Sequence, residues 1–157
     1  MIVSLGAAAV AGLLLASPVF SAAPPFKITG IQAKLFYETL GRFSEDVLAN
    51  PKFTLFNVMI GEGGLPGPSN STLVLVQVSG KAGAYEASRK VRLVATAGRK
   101  VMLDRSREVG ILPATGKTLT AFWLYDTGGS PVKLSARLTG QARQTAVVRT
   151  IKFTSGE

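Results

Sequence analysis

The chain has 157 residues and carries 18 Lys and Arg against 9 Asp and Glu, with no His and no Cys. That composition excludes disulfides, a Ser-His-Asp triad, a cysteine nucleophile and the usual His and Cys ligands of zinc. The formal net charge of +9 belongs to one half: residues 1–80 hold four basic and four acidic side chains, residues 81–157 fourteen and five. Such asymmetry predicts a basic face able to meet a polyanion, alongside the plainer service of charge in solubility.

Residues 1–26 carry no charged side chain, and residues 7–16 (AAAVAGLLLA) have the length and composition of a signal-peptide apolar region. Ser17, Pro18 and Ser21 interrupt that run before the roughly 20 apolar residues needed to cross a bilayer. Small residues after it suit signal peptidase, with a mature start between Ala22 and Phe26. Residues 1–23 are therefore expected to be a signal peptide and residues 24–157 a single domain, of about 134 residues, enough to fold without cross-links. No Lys or Arg precedes the apolar run, so an uncleaved anchor is the other reading. An exported chain without Cys points to a secreted or periplasmic protein.

Beyond the leader, β-branched and aromatic runs alternate with Gly, Pro, Asn and Ser, the pattern of an all-β protein. The expected strands are 28–37, 53–60, 72–78, 90–96, 100–107, 118–125, 132–139 and 146–153. Only residues 41–51 (GRFSEDVLANP) suit a helical turn, capped by Ser44 and ended by Asn50-Pro51. Alternation is clearest in 132–138, where Val132, Leu134, Ala136 and Leu138 share one face and Lys133, Ser135 and Arg137 the other. Segments 53–60 and 72–78 are apolar on both faces and suit central strands. Segment 118–125 reads as another interior strand, with the single Trp123 as a core anchor. Glycines in 97–99 and 127–130 predict hairpins, hence antiparallel neighbours. About eight strands in this length predict an antiparallel β-sandwich, immunoglobulin-like or fibronectin-III-like in architecture on strand number alone.

Several motifs fail on inspection. Residues 110–118 (GILPATGKT) end like a phosphate loop but have five residues rather than four before the Gly-Lys pair, and a strand rather than a helix follows, so Gly116-Lys117 reads as a turn and no nucleotide is expected. Ser130 and Lys133 have Ser-Lys enzyme spacing, but on a strand that offset puts them on opposite faces. Residues 61–71 (GEGGLPGPSNS) form a long Gly and Pro loop of the kind that carries binding residues, with Glu62 and Asn70 as candidates. Calcium would need Glu45 and Asp46 to meet Glu62 or Asp126.

The best-supported expectation is an exported, non-catalytic binding or accessory module of the cell envelope. It would work through a basic face that includes Arg92, Lys133 and Arg137 on strands with alternating charge. No cofactor is expected. Anionic glycan, lipid headgroups or an acidic protein suit the compartment; nucleic acid does not, because the basic span 88–107 lacks interleaved aromatics. Two alternatives come from other classes: a carboxylate- or metal-dependent hydrolase, and a structural subunit that joins neighbours by strand addition at an open sheet edge.

Overall fold

The computed structural model describes residues 26–49, 55–56, 69–140 and 145–154. The expected leader, Glu62 and most of segment 53–60 lie outside them. Among the described residues ten strands run in chain order: β1 (Lys27–Tyr37), β2 (Arg42–Phe43), β3 (Leu55–Phe56), β4 (Ser71–Ser79), β5 (Lys90–Ala97), β6 (Lys100–Glu108), β7 (Lys117–Tyr125), β8 (Val132–Thr139), β9 (Val147–Ile151) and β10 (Phe153–Thr154). There is no helix among the described residues. Two four-stranded antiparallel sheets, ordered β2-β1-β4-β7 and β6-β5-β8-β9, account for most of them, and β3 and β10 form a short parallel pair.

Strict alternation builds the core. Ile31, Ala33 and Leu35 of β1, Val74, Val76 and Val78 of β4, and Phe122 and Leu124 of β7 are buried on the first sheet. They form one cluster with Val91, Leu93 and Ala95 of β5 and with Val132, Leu134, Ala136 and Leu138 of β8 on the second. One apolar cluster drawing on both sheets is consistent with a β-sandwich. β4 is central, as its two apolar faces imply, and β8 has the expected inward set.

Three expectations are corrected. Residues 41–49 form no helix: Arg42 and Phe43 pair with Tyr37 and Phe36 as an edge strand, and a single turn follows in which the Ala49 N–H donates to the Asp46 carbonyl at 3.1 Å. Ser44 caps nothing helical; its Oγ accepts the Leu35 N–H at 2.9 Å, and Asp46 Oδ1 accepts the N–H groups of Ala33 and Leu48. The local polar residues thus satisfy the strand they lie beside, in the way short polar side chains compete with helix formation.

Residues 127–130 make no hairpin either, because β7 and β8 belong to different sheets. The Thr127 N–H donates to the Asn70 carbonyl at 3.1 Å, and the Thr127 and Thr72 hydroxyls lie 2.8 Å apart in the interior, so the glycines steer a crossing between layers. By contrast, residues 97–99 do join paired strands, with Gly98 at φ +56°.

Finally, among the described residues β7 is an edge strand rather than an interior one, and Trp123 sits half-buried on its outer face. Phe122 and Leu124 fill the core in its place. Trp123 packs instead among Phe36, Phe43 and Tyr125, with ring centroids 5.8 to 6.4 Å away.

Candidate binding site

Cations gather on the second sheet. Register sets Arg92 of β5 directly opposite Arg137 of β8 and Ser106 of β6, and Thr96 opposite Lys133, so Arg92, Lys133 and Arg137 share one outer face. Like charges facing each other across strands destabilise the pair. Asp104 answers this: Arg92 Nε donates to Oδ1 at 2.7 Å and Nη2 to Oδ2 at 2.5 Å. The hydrogen bonds from Arg92 hold the Asp104 carboxyl below its ordinary range, and the field of Arg137 pushes the same way. Arg92 is thereby matched within the sheet, while Lys133 and Arg137 remain exposed. Asn70 immediately precedes β4 of the other sheet and does not join this face. Glu62 lies outside the described residues.

The larger concavity lies where the two sheets end side by side. β6 closes the second sheet and β7 the first, and between them runs a groove of about 880 Å³ lined by residues 100–107 of β6 and by Phe122, Trp123, Tyr125 and Asp126. It continues past Arg107 into a smaller recess of about 390 Å³ toward Leu119 and Ala121.

Its lining combines the cations Lys100, Arg105 and Arg107 with aromatic rings and the carboxylates of Asp104, already matched by Arg92, and Asp126. Arg105 and Arg107 stand on the core-side face of β6, opposite Leu93 and Val91, yet both are exposed because β6 overhangs the open flank. The Arg107 guanidinium lies 5.9 Å from the centroid of the buried Phe122 ring, a cation–π contact that leaves its donors available. Neither arginine has an ion pair among the described residues. Tyr125, 68% exposed, stacks at 13° against Trp123 along the rim.

These groups can bind anions and stack on flat or apolar ligands. Among the described residues no three acidic side chains gather to hold a metal. Asp46 is instead occupied by backbone N–H groups. No helix among the described residues is long and apolar enough to cross a membrane.

The groove residues Arg105, Arg107, Trp123 and Tyr125 are visible in the sequence as two separate strands, one basic and one aromatic. Their meeting follows from β6 and β7 lying at neighbouring edges of different sheets, for which no local signal exists. The chain matches no protein-family model, and no curated protein is significantly similar to it in sequence. Function therefore has to be carried by the site's own chemistry.

Proposed function

We propose that the protein is an exported, non-catalytic binding module of the cell envelope, an accessory that holds an anionic partner against its basic side. The observation that carries this is the set of exposed cations on the second sheet, Lys133 and Arg137 on its outer face and Arg105 and Arg107 on the core-side face at its open flank, where Arg107 lies over the Phe122 ring and Trp123 lines the same groove. Exposed cations of this kind steer an anionic partner and fix its orientation more than they set the depth of binding. The uncharged apolar leader supports export, and the absence of His and Cys supports a role without bond-making chemistry. An immunoglobulin-like or fibronectin-III-like architecture belongs to the same proposal; strands β1-β4-β7 facing β6-β5-β8-β9 support it.

Chromatography of the mature protein on a sulfated-polysaccharide matrix tests the reading. Retention at low salt and release as salt rises are expected, because exposed charges are screened over about 10 Å at 0.1 M. The double variant Lys133→Glu, Arg137→Glu should elute earlier. Passage of the native protein straight through this matrix, through anionic vesicles and through acidic peptide resin would overturn it.

A further inference from the structure

We propose that the groove between β6 and β7 takes an extended acidic segment of another polypeptide, added as a strand to the free edge of β6. This deepens the proposed function and rests on it, naming both the place and the chemistry of the partner.

Hydrogen-bond parity shows which backbone groups are open. The Val109 N–H donates to the Arg89 carbonyl at 3.1 Å, which makes residues 89 and 109 a bonded pair. Bonded and non-bonded pairs alternate along antiparallel strands. Arg107 and Arg105 therefore bond toward Val91 and Leu93, while Asp104, Ser106 and Glu108 turn their N–H and C=O groups away from β5. On the opposite wall, the Gly80 N–H donates to the Gly116 carbonyl at 3.0 Å. The same parity leaves Leu119, Ala121 and Trp123 with backbone groups directed away from β4. Among the described residues neither edge has a second strand. The groove is thus flanked by two rows of unpaired backbone donors and acceptors, the feature that strand addition uses.

Side-chain spacing selects the occupant. Arg105 and Arg107 lie two residues apart on one face, about 7 Å along the strand, which is the repeat at which any extended chain presents alternate side chains. Residues directly opposite them in an added strand would share their face. Carboxylates at every second position satisfy both arginines, and Arg is suited to grip a carboxylate through paired donors. The intervening positions would face Asp104, Ser106 and Glu108 and so must lack acids. A second copy of β6 would set arginine against arginine on this face. A polysaccharide or a lipid headgroup carries no row of amides at the strand repeat and would leave both edges unpaired.

The test titrates peptides as long as β6, 9 residues, into the mature protein. One alternates Glu with Thr. A second has the same composition with the acids in adjacent pairs, and a third is the alternating peptide N-methylated on the backbone groups that would face β6. Trp123, the chain's single Trp, lines the groove, so its emission reports occupancy, and calorimetry supplies the affinity. The alternating peptide should bind and shift the emission. The paired-acid and N-methylated peptides should bind about tenfold more weakly or worse, as should the alternating peptide to the double variant Arg105→Glu, Arg107→Glu. Ser106→Pro, which removes an outward N–H while sparing the bonds to β5, should weaken binding with the circular dichroism unchanged.

Equal binding of all three peptides overturns strand addition. Binding of sulfated polysaccharide, anionic vesicles or single-stranded DNA in place of the peptide overturns it too, and leaves the wider reading of an anion-binding module standing. If no anionic probe binds, both fall.

Discussion

Charged side chains on this protein divide by what already surrounds them. Arg89 is 7% exposed; it is paired with Glu86, reaches the Thr139 carbonyl at 3.5 Å and lies over the Phe26 ring, so its charge serves the fold. Arg92 is matched by Asp104 on the sheet surface. Arg105, Arg107, Lys133 and Arg137 are among the exposed cations that have no such ion pair among the described residues. The Asp104 pair has a pH signature. Because Arg92 lowers the folded pKa below the ordinary value of about 3.9, its contribution is complete above that value and disappears as pH falls through the lower folded one. Asp104→Asn should cost a little stability at neutral pH and flatten the stability profile on the acid side, as read from urea midpoints across that range. High salt should shrink the difference, since the pair is solvent-exposed.

Turns decide how the strands are delivered to their sheets. Gly116, just before β7, adopts φ +65°, and a Cβ added there would come within 2.6 Å of the Gly80 carbonyl oxygen. Gly98, in the β5–β6 hairpin, has a similar φ of +56° but nothing within 4 Å. The two positions therefore separate backbone strain from collision. Gly98→Ala should lose about 1 kcal/mol and Gly116→Ala about 2 kcal/mol or more, measured by chemical denaturation. Equal losses at the two sites would show that the close approach of the β4 end to this turn has no energetic weight. Edge strands matter as much: β6 carries exposed charge along its length, a pattern that discourages pairing with its own kind while leaving backbone groups exposed to a complementary chain.

Both sheets share one buried cluster, so they should unfold together. Leu134, fully buried on β8, lies in the sheet that does not contain Trp123. Leu134→Ala should destabilise by about 2–5 kcal/mol, shifting the Trp123 fluorescence midpoint and the circular dichroism midpoint equally. Separate midpoints would mean that the sheets are independent units. The groove depends on this unity, because its two walls come from different sheets and hold their spacing only while the shared core is intact.

Strand positions were legible from local pattern. Alternation in 132–139 marks the inward Val132, Leu134, Ala136 and Leu138, since period two is a property of the chain alone, and Gly98 marks its hairpin because positive φ is a local requirement. Which sheet a strand joins is not local. The glycines at 127–130 read as a hairpin and in fact cross between layers, because Thr72 and Thr127 meet in the interior from positions 55 residues apart. Trp123 illustrates the same limit. Both faces of β7 are apolar, and hydrophobicity cannot distinguish a side chain that enters the core from one that packs against Phe36 and Phe43 outside it. The basic half of the chain was evident from composition, whereas the groove in which its arginines face aromatic rings exists only because two sheet edges come to lie side by side.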